Sequence, residues 1–347
     1  MALVAYAHGL VEDLAVGADA TSEYARDVWD LRRLGVPAGR GPYRLRLDEI
    51  AQLWLRAAAK RWARFRLATK APTSVKSDVR AVVQFASFLE RHDPGATNDL
   101  AITREALEAY LPWLAATGLS GSTRVDDLVN LRTFIEHARR HGWLSRLVPT
   151  ATLYSEDLPA KLKPLPRFLP ELVMAQIESE ANLARLGNPS LAHLVVVLIE
   201  TGLRVGDATA LAFDTVVVDR AGWPCFRFLN SKMGAEQLVP LSAKAAAAVS
   251  AQQDHLRACW PGGTPPLLFP TANANPDGTK PFTITSVARQ LRRWQAEIGL
   301  CNEDGQPVRA TPHQFRHTFG TRTINQGVPQ HVVQNLLGHA SPAMSAP

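Results

Sequence analysis

TPHQFRHTFGT, residues 311–321, sets His313, Arg316 and His317 at i, i+3 and i+4, on one face of a helix. Pro312 suits a first helical position, so the helix is expected to begin there. Two histidines four apart are also zinc-protease spacing. The residue after the first histidine is Gln314 rather than glutamate, however, and Arg316 would set a positive charge beside the metal. Arginine beside histidine suits an anionic oxygen better. A helix with one buried histidine is the plainer alternative.

Three further segments extend this reading. In TGLRVGDATAL, residues 201–211, Gly202 can end the apolar helix before it and Arg204 falls at the next helix start. An arginine there can join a helix dipole in holding an anion, with Asp207 near enough to hold the guanidinium. Lys232, in NSKMGAE, sits at an expected hairpin tip, where a compact ammonium on a long stem can reach a phosphate or a leaving oxygen. In LLGHASPAMS, residues 336–345, Gly338 ends a helix and His339 follows in the turn. Each has a plainer reading alone: a surface arginine paired with Asp207, a solvated turn lysine, an ordinary turn histidine.

Charge adds a modest bias. The 347 residues carry 38 Lys+Arg against 32 Asp+Glu, a net +6, which mildly favours a polyanionic partner. Residues 55–70, LRAAAKRWARFRLATK, hold six basic residues and no acid; Arg56, Lys60 and Arg64 share a face, Arg61 lies beside them, and Trp62 and Phe65 interleave. Such a stretch suits phosphate contacts as well as a solvated face. Arg289, Arg292 and Arg293 form a smaller patch. The three cysteines, Cys225, Cys259 and Cys301, form no C-x-x-C, which argues against a disulfide framework or zinc knuckle and fits a reducing cytoplasm. The longest strongly apolar run, Leu194 to Ile199, is far short of the roughly 20 residues of a membrane span. MALVAYAHGLVEDLAVG lacks a basic n-region and does not read as a signal peptide.

Periodicity predicts a mainly α chain. Residues 46–145 read as a bundle of four helices, with apolar stripes such as Val75, Val79, Val82, Phe85 and Phe88. Residues 1–45, broken by Gly35, Pro37, Gly39, Gly41 and Pro42, read as an arm or short added element. The proline-rich stretch 146–168 reads as an interdomain linker. Residues 169–347 read as an α+β unit in which the strand-like runs 215–219, 225–229 and 237–241 form a small antiparallel sheet among helices.

In order and spacing, Arg204 in T-G-L-R-x-x-[DE], Lys232 in a hairpin, His313 and Arg316 in H-x-x-R-H, and His339 in L-G-H resemble the tyrosine recombinase (phage integrase) family. The joint match is specific and covers about 169–347. The resemblance implies a helical core-binding domain at 46–145 joined to a catalytic domain in a C-shaped clamp around double-stranded DNA. It implies strand cleavage through a 3′-phosphotyrosine, as in the integrases and transposases of mobile elements. Arg204 and Arg316 would bind the non-bridging oxygens, Lys232 would protonate the 5′ oxygen, and His313 would assist at the nucleophile. His339 would donate to a phosphate oxygen, with Asp207 and His317 in support. The DNA contacts are expected at Arg56, Lys60, Arg61, Arg64, Arg289, Arg292 and Arg293.

The reaction stores the phosphodiester energy covalently and needs neither metal nor ATP. The family's tyrosine falls near position 348, and the tyrosines here are Tyr6, Tyr24, Tyr43, Tyr110 and Tyr154. The chain is therefore expected to be cut just before its nucleophile. It should bind DNA without cleaving it and remain a monomer, where the full-length protein would form a synaptic tetramer on DNA in a bacterial or phage-type, nucleoid-associated setting. Two other readings stand beside this one: a DNA-binding accessory protein that keeps the fold without cleavage, and a zinc hydrolase built on His313 and His317.

Overall fold

The computed structural model describes residues 19–36, 44–160, 168–230 and 233–338. Lys232, His339, and parts of the expected arm and linker lie outside these residues. The chain divides into two units, Met1–Lys163 and Pro164–Pro347.

In the first unit a short helix α1 (Ala20–Ala25) leads to strands β1 (Val28–Asp30) and β2 (Arg44–Arg46), which pair antiparallel. Four longer helices follow: α2 (Leu53–Leu67), α3 (Pro72–His92), α4 (Arg104–Ala115) and α5 (Gly121–Arg140). Local chemistry sets their starts. Pro72 opens α3, and the Thr103 and Ser120 side chains accept from the third backbone amides of α4 and α5. The expected stripe of Val75, Val79, Val82, Phe85 and Phe88 is buried, against Leu128, Leu131 and Phe134 of α5.

Two boundaries differ from the sequence expectation. Residues 19–36, expected as part of an arm or short added element, are an added element of the bundle: Trp29 and Leu31, with Leu45, are buried in the same core as the helices. The run Leu47–Ile50, at the start of the expected bundle, follows β2 and precedes α2 without being helical. At the other end Leu144, Ala151 and Leu153 are also core residues, and Asp157 pairs with Arg104 at 2.6 Å. The proline-rich stretch up to this point thus packs onto the bundle instead of linking it.

The second unit holds α6 (Glu171–Glu178), α7 (Glu180–Ala184), α8 (Pro189–Thr201) and the one-turn α9 (Val205–Ala208). Strands β3 (Val216–Val218), β4 (Pro224–Asn230) and β5 (Ala235–Pro240) form an antiparallel sheet in that order, with Phe226 opposite Val216 and Val239. Helices α10 (Ala243–Cys259), α11 (Ile284–Glu297), α12 (Pro312–Asn325) and α13 (Gln330–Leu337) complete it. Apolar α8 is the hub: Leu191, Leu194, Val195, Val197 and Leu198 are fully buried, and both α10 and α12 pack on it. Helices α6 and α7 are separated at Ser179, whose backbone is extended. Among the described residues no helix is long and apolar enough to cross a membrane.

One core contact is pH-sensitive. Trp62 donates through Nε1 to His137 Nδ1 at 3.1 Å. Indole nitrogen only donates, so Nδ1 must be unprotonated. Burial first, then the charges of Arg66 and Arg140, lower the His137 pKa. The unfolded chain therefore takes up this proton at a higher pH than the folded one, and stability is lost as pH falls below about 6.5. Thermal melts at pH 7.5 and 5.5 should show a drop in Tm that shrinks in His137→Gln, whose amide still accepts from Trp62. An equal drop in both proteins would remove His137 as the cause.

Candidate active site

Arg316 sits in the first half of α12, a helix begun as expected by Pro312, with a reciprocal cap between Thr311 and Gln314. Its side chain is only 4% exposed. One guanidinium nitrogen, Nη1, donates to the Gly202 carbonyl at 2.7 Å; the other, Nη2, donates to the Leu337 carbonyl. Arg204 reaches the same place from the turn after α8. Its Nη2 donates to the Gly338 carbonyl at 3.3 Å and its Nη1 to Asn230 Oδ1 at 3.4 Å. Buried Asp207 lies 3.7 Å from Nη1, as its three-residue spacing suggests. The following helix, α9, is a single turn of four residues, so the expected helix-dipole contribution is slight.

Two guanidiniums far apart in sequence thus converge on successive carbonyls at the end of α13. The convergence depends on glycine at both turns. Gly202 has φ 61°, and a Cβ there would lie 2.5 Å from Phe319 Cδ1 and 2.9 Å from Leu337 Cδ2. Gly338 has φ 56°, and a Cβ would lie 2.6 Å from Asn230 Nδ2. Both positions need the left-handed conformation and a close backbone approach. Burial, then the like charge of Arg204, pulls the Arg316 pKa down to about 10, while Asp207 opposes the shift. Arg316 remains a cation at neutral pH, and a second anion beside it would relieve the repulsion between the two arginines.

His313 and His317 lie one turn apart on α12 with their Nε2 atoms 3.1 Å apart. At that distance one nitrogen must donate and the other accept, so at most one of the facing atoms carries a proton. Among the described residues no group of three or more His, Cys, Asp and Glu side chains comes together as a metal site would need.

The expected DNA-contact residues separate into two classes. Arg56 and Lys60 are bound to Asp27, at 2.6 and 2.7 Å, and Arg64 lies over the Tyr24 ring at 4.6 Å. The stretch 55–70 has no acid of its own, but the segment packed against it supplies one, which corrects the view of an uncompensated basic face. Arg61, Arg289, Arg292 and Arg293 are exposed, and none forms an ion pair among the described residues. Asn230 and Gln237, which join the site from the sheet, carry no sequence signal: polar residues in a hairpin look like solvated ones.

The family model described as the phage integrase family matches residues 169–346. Transposase B from transposon Tn554 of Staphylococcus aureus is 29% identical over 330 residues, covering 93% of this chain. The chain spans about half of that relative, 50% of its length. The tyrosine recombinase XerD of Caulobacter vibrioides is 30% identical over 242 residues, 68% of this chain and 73% of the relative. Among solved structures, the XerH site-specific recombinase bound to its difH substrate superposes with TM-score 0.59 at 17% identity, covering 83% of this chain and 78% of that one, a likeness of fold. The motif order, the fold and these matches agree: the chain belongs to the phage integrase family of tyrosine recombinases.

Proposed function

We propose that the chain carries the DNA-breaking and rejoining centre of a site-specific recombinase of the transposase or integrase type. The observation that carries this reading is the convergence of Arg204 and Arg316 at the end of α13. A phosphodiester under attack gains negative charge on its non-bridging oxygens. Two fixed guanidiniums in a largely buried site match that charge without any metal.

The rest follows by chemistry. The nucleophile is a tyrosine oxygen, which forms a bond to phosphorus as the 5′ oxygen leaves with a proton from Lys232. The 3′-phosphotyrosine is then attacked by a 5′-hydroxyl of another strand, which restores a phosphodiester as the bond from phosphorus to the tyrosine oxygen breaks and the hydroxyl's proton passes back to the tyrosine. His313, adjoining His317, handles the proton at the nucleophile. His339, next after the Gly338 carbonyl that Arg204 holds, donates to a phosphate oxygen. Residues 164–347 contain no tyrosine. Tyr110 is fully buried in the first unit, and burial with the nearby Asp127 charge raises its pKa, so it is no substitute. Adduct formation is therefore proposed to depend on a tyrosine outside residues 164–347.

The test uses a nicked duplex spanning the junction of the mobile element, mapped by sequencing its insertion sites. Denaturing gels should show a protein–DNA adduct for a chain extended to carry a tyrosine about nine residues after His339, and none for residues 1–347 alone. An adduct from the shorter chain would place the nucleophile elsewhere. In the extended chain Arg204→Ala and Arg316→Ala should each lower the cleavage rate by about 10²–10³. Arg316→Ala should also destabilise the second unit, because the Gly202 and Leu337 carbonyls lose a buried donor, at about 1–3 kcal/mol each. Unchanged cleavage in both variants would defeat the reading.

Salt dependence tests the binding face. Alanine at Arg289, Arg292 and Arg293 should flatten the slope of log K against log salt by up to about 0.9 for each phosphate that is no longer neutralised. Alanine at Arg56 should instead lower Tm, by removing the Asp27 pair, with little change in slope. The opposite pattern would return the 55–70 face to the interface.

A further inference from the structure

Gln237, on β5, makes three hydrogen bonds that together fix both acceptors of Arg204. Its Nε2 donates to the carbonyls of Asn335 and Leu336, at 2.9 and 2.7 Å, in the last turn of α13. Its Oε1 accepts from Asn230 Nδ2 at 2.8 Å. The direction of each bond is forced. Carbonyl oxygens only accept, so the amide nitrogen of Gln237 must face α13 and its oxygen must face β4. That oxygen in turn demands the NH2 of Asn230. Asn230, 2% exposed, is left presenting Oδ1 to Arg204 Nη1. The same anchoring of the α13 turn holds the Gly338 carbonyl against Arg204 Nη2.

We infer that Gln237 is a positioning residue for Arg204: it locks the β4 amide and the α13 carbonyl that together orient this guanidinium. The inference rests on the strand-exchange reading above, because only there does the orientation of Arg204 matter to a rate. The close approach of the three segments supports it. A Cβ at Gly338 would meet Asn230 Nδ2 at 2.6 Å and Gln237 Oε1 at 3.0 Å, so the glycine turn and the two amides fit as one assembly. A glutamine also suits the task better than lysine or glutamate. Lysine could donate to the two carbonyls but could not accept from Asn230. Glutamate could accept but would set a charge against two carbonyl oxygens.

The experiment compares the tyrosine-bearing chain of the cleavage test with its Gln237→Met and Gln237→Glu variants on two nicked duplexes bearing the mapped scissile phosphate. One duplex has the ordinary phosphodiester. The other has a methylphosphonate there, which removes the non-bridging charge that Arg204 would neutralise. Both variants should slow cleavage of the phosphodiester by about 10- to 100-fold, a usual cost of misplacing a catalytic group. On the methylphosphonate they should cleave close to the unmodified rate, and the Tm of Gln237→Met should be close to that of the unmodified protein. Equal slowing on both substrates would mean a general structural role, and unmodified rates on both would mean no role; either overturns the inference. Arg204→Ala is run alongside. If it cleaves both duplexes at the unmodified rate, the strand-exchange reading fails and takes the inference with it. If it fails on the phosphodiester while Gln237→Met does not, only the inference falls.

Discussion

The second unit is organised by one buried cation. Arg316 is a guanidinium taken almost wholly out of water, and such a charge is costly unless its donors are used. They are used on the carbonyls of Gly202 and Leu337, at the ends of α8 and α13. Helix ends leave carbonyls without partners, so the arginine and the two helix ends satisfy one another. This arrangement ties the ends of α8 and α13 together, next to the carbonyl that Arg204 holds.

The result is a centre in which positive charge is concentrated by packing. Burial and the Arg204 charge lower the pKa of Arg316, and Asp207 compensates in part. Donors already fixed in place when a negative group arrives are the physical basis of electrostatic preorganisation. In the proposed strand exchange that group is the scissile phosphate.

The first unit is built differently. Several of its cations are neutralised at short range: Arg56 and Lys60 by Asp27, Arg66 by Asp78, Arg80 by Asp127, Arg104 by Asp157. Asp127 is fully buried, and burial raises its pKa despite the arginine beside it. A net positive stretch of sequence is therefore a poor guide to a positive surface. The counter-charge comes from elements far along the chain, and local sequence carries no trace of it.

Much of this protein was legible without coordinates. Apolar periodicity located nearly every helix and all three strands of the second sheet, because helix and strand patterns are local properties of a few consecutive residues. Gly202 and Gly338 marked their helix ends for the same reason, since a left-handed turn favours glycine whatever surrounds it. The order of Arg204, Lys232, His313, Arg316 and His339 pointed to one chemistry because that combination is rare by chance. What folding alone decided was which groups meet. The pairing of Arg56 and Lys60 with Asp27, the placement of Trp29 and Leu31 in the core, and the Gln237–Asn230 bridge all join residues from separate segments. Such contacts are set by how whole elements pack, and a glutamine that ties a strand to a helix end looks, in sequence, like any glutamine on an exposed hairpin.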